Sequence, residues 1–173
     1  MVAVVVVAVV FSAGVSYAQE DGPPQVPDNV QKILKNLVGK WSVKSTVDDM
    51  ILTATMVAKW GPGKQYVIAN ESFDTPHGKG GNHMLTGWDG LSDDGIVMYR
   101  IGIGGSHGIM RGKIVSDTLI EGENETVTRG EKYTDQARFV KLSPDKFVYT
   151  STKTIEGKTV VTWKSEYTRI KKK

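Results

Sequence analysis

The side chains with most chemical reach in this sequence are three histidines, one centrally placed arginine and a scatter of tryptophan and tyrosine. His77, His83 and His107 are the only histidines, and all fall in the glycine-rich middle of the chain. Three imidazoles on neighbouring loops could bind zinc or haem iron, but no pair has the helical or alternate-residue spacing that brings metal ligands onto one face. They are read as exposed loop residues, with no metal site. Gly104-Gly105-Ser106-His107-Gly108 spells the G-x-S-x-G nucleophile elbow. That elbow needs a helix after the serine and a histidine later in the chain; Ile109 to Ile114 reads as a strand, and no histidine follows His107. Gly157-Lys158-Thr159 has the tail of a phosphate-binding loop with Thr152 where its first glycine belongs. Gly102-Ile103-Gly104 begins a dinucleotide fingerprint that closes on His107 instead of glycine. All three strings read as turns, so no catalytic residue and no cofactor is assigned.

Composition narrows the remaining classes. The 173 residues suit one compact domain. Without cysteine there is no disulfide scaffold, no cysteine-ligated metal and no thiol nucleophile. The net charge of +3 is matched by Lys171, Lys172 and Lys173 at the C-terminus alone, so the body is close to neutral and nucleic acid is not an expected partner. Residues 1–18 differ from everything that follows: they carry no charge, contain the valine-rich run from Val2 to Val10, and end in Ser16-Tyr17-Ala18. This is the shape of a secretory signal peptide cleaved after Ala18, although no Lys or Arg precedes Lys32. The expectation is a secreted or periplasmic protein with no stable membrane span after cleavage. An uncleaved anchor or a misassigned start codon are the competing readings. Residues 19–27, with Glu20-Asp21-Gly22-Pro23-Pro24, read as an exposed linker, and residues 28–173 as the domain.

The elements that must position the chemistry follow from periodicity. Asp28 is placed to cap a short helix on which Val30, Ile33, Leu34, Leu37 and Val38 form one apolar face, ending at Gly39. From there the period is two. Trp41, Val43 and Val47 alternate with polar neighbours, and Met50, Leu52, Ala54 and Met56 do the same after Asp48-Asp49. Further strands are expected at 65–73, 82–88, 96–103, 107–115, 118–127, 133–142, 146–155 and 159–170, separated by turn residues such as Asp89-Gly90, Ser143-Pro144-Asp145 and Glu156-Gly157. About ten short strands on short loops leave no room for parallel crossovers. The fold class is therefore all-β, an antiparallel up-and-down β-barrel with one short N-terminal helix, in preference to a β-sandwich with the same strands.

Leu37-Val38-Gly39-Lys40-Trp41, a helix running into Gly-x-Trp, resembles the opening motif of the calycin superfamily, which includes lipocalins and fatty-acid-binding proteins. Trp163-Lys164-Ser165-Glu166-Tyr167-Thr168-Arg169 resembles the last strand of a group of bacterial lipocalin-like proteins of unassigned function, and Thr86-Gly87-Trp88-Asp89-Gly90 resembles a central stretch of the same group. The resemblance implies that Trp41 packs under Arg169 and closes one barrel end as a structural cation–π pair. It also implies a disulfide-free, bacterial kind of barrel. Haem-binding barrels of this superfamily use a histidine on a late strand, and none is present here.

What remains is a pocket. Trp163 and Tyr167 share parity with Arg169, and Arg100 shares parity with Ile96 and Met98, so an inward Arg100 would be an unusual buried charge. Arg100 either meets an anionic ligand group, as in fatty-acid-binding-like barrels, or faces outward or pairs with an internal acid. Candidate ligand-binding residues are Trp88, Arg100, Tyr149 and Trp163, with His83 and His107 near a rim, at the end away from Trp41. The leading function is a binding module for a small apolar or amphipathic molecule. A barrel-type isomerase or hydrolase and a ligand-free interaction or envelope protein are the alternatives, and the oligomeric state is open.

Overall fold

The computed structural model describes residues 24–47, 50–75, 78–155 and 158–171. The leader at 1–18 with its boundary after Ala18, the linker up to residue 23, the Asp48-Asp49 and Glu156-Gly157 turns, and His77 lie outside the described residues. Val26, at the end of the linker, is buried against the core.

One helix and ten strands follow. Helix α1 spans Asp28–Leu37 and buries Val30, Ile33 and Leu34. Asp28 is not its N-cap. Pro27 holds that position, with a side chain that can accept no hydrogen bond, and Asp28 is the first helical residue, where its carboxylate favours the positive end of the helix dipole. The helix also stops short of its glycine: Val38 is the C-cap, and Gly39 opens β1 with φ of +148°.

The strands are β1 (Gly39–Val47), β2 (Met50–Trp60), β3 (Tyr66–Thr75), β4 (Gly78–Trp88), β5 (Gly95–Gly102), β6 (His107–Ser116), β7 (Leu119–Thr128), β8 (Glu131–Ser143), β9 (Lys146–Ile155) and β10 (Lys158–Arg169). Each pairs antiparallel with the next, and β1 pairs with β10, so the sheet closes into a barrel. The up-and-down barrel is the architecture the short connections call for, and the sandwich is excluded. Arg129 and Gly130, both with positive φ, make the tight turn between β7 and β8.

Closure needs strands that bend. Gly112 and Gly122 face each other across β6 and β7, and a Cβ on Gly122 would lie 2.2 Å from the Arg111 carbonyl oxygen. The two backbones approach this closely because neither residue has a side chain. A register shift at Ile114/Ser116 adds a bend on the same pair, and shifts at Lys141/Ser143 and Val161/Trp163 add others on β8–β9 and β9–β10.

Helix α1 lies across the barrel end where β1 begins and β10 finishes. Lys32 pairs with Asp117 in the β6–β7 turn. Trp41 and Arg169 are register partners, and the guanidinium carbon stands 4.1 Å from the centre of the indole ring. Both residues also serve the helix. Arg169 Nη1 donates to the Val38 carbonyl at 2.7 Å and Nη2 to that of Asn36 at 3.0 Å, while Trp41 Nε1 donates to Leu37 at 2.9 Å. Carbonyls that a helix end leaves without intrahelical partners are thus satisfied by side chains from β1 and β10.

Candidate functional site

Strand alternation fixes which side chains face the interior, and the pairing register arranges them in layers. The layer under α1 is apolar and aromatic. Phe147 stacks on Tyr167 with centroids 4.2 Å apart and meets Trp41 edge-on at 4.8 Å, and Phe139 contacts Tyr149 at 4.8 Å. Between this layer and α1 is an apolar cavity of about 50 Å³, bordered by Ile33, Leu37, Trp41, Met98, Ile120 and Phe139 among others.

Towards the opposite end the interior becomes polar. Glu71 on β3 accepts from Asn82 Nδ2 on β4 at 2.5 Å. Arg100 follows on β5, facing Met84 on one side and Gly108 on the other. On β7, Asn124 donates to Thr126 at 2.9 Å. Asp135 on β8 is 4% exposed and accepts from Ser151 Oγ of β9 at 2.7 Å. Trp163 Nε1 donates to Ser165 Oγ at 2.7 Å, and Ser165 and Ser45 join β10 to β1 through their hydroxyls, also at 2.7 Å. This polar band crosses nearly the whole circumference of the barrel.

Burial controls its electrostatics. The Glu71 carboxyl is pushed above its usual range by desolvation, which outweighs the opposing effects of the Asn82 hydrogen bond and the Arg100 charge. Desolvation raises the Tyr149 and Tyr167 hydroxyls as well. Both phenols therefore stay neutral and act as hydrogen-bonding groups. Among the described residues, no cluster of three or more histidine, cysteine or acidic side chains could hold a metal ion.

The Arg100 charge is felt at the Tyr149 hydroxyl, and Trp163 belongs to the same band through its bond to Ser165 on β10. Trp88 does not join them: it lies at the α1 end of β4, where its Nε1 donates to the Ser92 carbonyl at 2.7 Å and its ring borders a depression beside Val26 and Tyr66. His83 and His107 are exposed, because they alternate with inward-facing Asn82, Met84 and Gly108. His83 Nδ1 lies 2.6 Å from Asn70 Oδ1, and His107 Nδ1 lies 3.1 Å from the Gly105 carbonyl. The Gly104-Gly105-Ser106 string is a hairpin turn with both glycines at positive φ, not a strand-to-helix elbow.

Glu71, Asp135, Asn82 and Asn124 were missed in the sequence. A signal existed: Glu71 continues the parity of Val67 and Ala69, and Asp135 that of Ala137 and Phe139.

No protein-family model matches the chain, and no curated protein matches it significantly. Solved structures do. Rv2717c from M. tuberculosis aligns with a TM-score of 0.58 at 12% identity, covering 85% of this chain and 100% of that one. A redesigned β-barrel aligns with a TM-score of 0.49 at 12% identity over 81% of this chain and 96% of its own. EF1p2_mFAP2b, solved bound to DFHBI, gives 0.46 at 10% identity over 82% and 99%. The likeness to Rv2717c is one of fold. Among the described residues no helix is long and apolar enough to cross a membrane.

Proposed function

We propose that this chain is an exported, secreted or periplasmic protein whose barrel holds a small, mostly apolar molecule. One observation carries the binding reading. Glu71, Arg100, Tyr149 and Trp163 face the interior, yet each keeps intermediate solvent exposure. This partial exposure supports an opening at that end of the barrel, above the buried Asp135, Ser151 and Ser165. The band has flat aromatic surface in Tyr149 and Trp163 and fixed polar groups in Glu71 and Arg100, the lining a small-molecule site needs. The lipocalin-like resemblance of the Gly39-Lys40-Trp41 and Glu166-Tyr167-Thr168-Arg169 stretches supports the same reading, as the uncharged leader supports export.

Trp163 makes the proposal measurable, because its indole is part of the band. Titration with a neutral apolar fluorophore such as N-phenylnaphthylamine should give saturable energy transfer from tryptophan. Tyr149→Ala should weaken it by roughly tenfold, about the effect of removing one well-packed aromatic contact. A panel of apolar compounds that produces no saturable response would remove the binding reading and leave a ligand-free interaction protein in its place.

A further inference from the structure

The head group of the ligand is open in the reading above, and the polar band constrains it. Asp135 is nine-tenths buried or more on the inner face. Its Oδ2 accepts from Ser151, but its buried Oδ1 has no hydrogen-bond partner. A buried acceptor without a donor is costly, so the position favours an incoming N–H or O–H. Arg100 presents the reverse requirement. Its charge acts on Glu71, Tyr149 and Tyr167 through space, without a hydrogen bond to any of them.

The two groups are linked through neighbouring strands. Arg100 is the register partner of Gly108. A side chain at Gly108 would begin 3.2 Å from Thr126 Oγ1 and 3.6 Å from Asn124 Oδ1. Asn124 is in turn the register partner of Asp135. The nearest atom to such a side chain would be the Glu125 carbonyl oxygen at 3.0 Å, so the glycine lets β6 pack closely on β7 between the strands that carry the guanidinium and the carboxylate. Both charges are felt at the Tyr149 hydroxyl.

We propose that this band selects an amphiphile whose head group donates and accepts hydrogen bonds without net charge, of the amide or hydroxyl class, with the donor on Asp135 and the acceptor on Arg100. The proposal rests on the ligand-binding reading and names the head group. Hydrogen-bond demand separates the alternatives. Among the described residues the band sets one cation, Arg100, against two carboxyl groups, Glu71 and Asp135. A fatty carboxylate would add a third acid and leave Asp135 Oδ1 without a donor. An ammonium would serve Asp135 and offset the second carboxyl group, but it carries no acceptor for Arg100. An amide meets both needs and leaves the charge unchanged.

Octanamide, octanoate and octylamine share one tail and differ in the head. Isothermal titration of the unmodified protein should rank octanamide first, by about tenfold over each of the others. Asp135→Ala should erase the advantage over octanoate, and Arg100→Ala the advantage over octylamine. The ranking in the unmodified protein needs no variant, so a misfolded substitution leaves the test intact. Octanoate binding tightest would make Arg100 an anion site and overturn the proposal while sparing ligand binding; octylamine binding tightest would overturn it equally. If none of the three binds but N-phenylnaphthylamine does, the head-group proposal falls alone. If the fluorophore fails as well, both readings fall together.

Discussion

Glu71 shows how far the barrel interior changes an ordinary side chain. Desolvation raises its carboxyl above the usual range despite the Asn82 hydrogen bond and the Arg100 charge. The folded chain therefore holds this proton over a pH interval in which the unfolded chain has released it. Stability from this group is fully present below the unfolded pKa and is lost as pH rises through the folded value. Glu71→Gln keeps an acceptor for Asn82 and removes the ionisation. It should raise the urea midpoint at about pH 8 and leave it nearly unchanged at about pH 4. Equal shifts at both would assign the effect to packing. The same residue marks the limit of sequence reading. Arg100 stood out because a cation between apolar alternates is conspicuous, whereas Glu71 lies in Asn70-Glu71-Ser72 and Asp135 in Thr134-Asp135-Gln136, polar runs that read as solvated surface. Parity with Val67 and Ala69, or with Ala137 and Phe139, points them inward, and pairing with buried Met56 and Asn82, or with Asn124, fixes that face.

At the junction of α1, β1 and β10 one side chain meets several demands. Arg169 satisfies two helix-end carbonyls and covers Trp41 at once. Gly39 makes this arrangement fit: a Cβ there would stand 2.2 Å from Arg169 Nη1, on a backbone with φ of +148°. Arg169→Ala should cost about 2–4 kcal/mol, from two charge-assisted hydrogen bonds and the cation–π contact. Gly39→Ala should cost about 1–3 kcal/mol alone and at least about 0.5 kcal/mol less in the Arg169→Ala background, since part of its clash is then gone. Urea denaturation of the four proteins completes the cycle, and strict additivity would refute the contact. Strand periods and turn residues made nearly every element legible beforehand. The helix ends were harder, because capping depends on backbone angles at Pro27 and Val38 that residue type alone does not reveal.

At the scale of the whole molecule, export predicts a mature chain starting at Gln19. The intact mass of protein recovered from periplasm or medium reads this directly, and a soluble cytoplasmic form retaining Met1 would refute it. The barrel itself closes through β1 and β10, whose register joins Trp41 to Arg169 at the same end as α1. That seam has a mechanical consequence. Tension applied between the start of β1 and the end of β10 acts at one end of two antiparallel neighbours, so it peels their hydrogen bonds apart in sequence instead of shearing them together. Opposed pulls on the two strands would open the barrel as a zipper, and a tether at one of them alone would leave the opposite barrel end pointing away from the anchor.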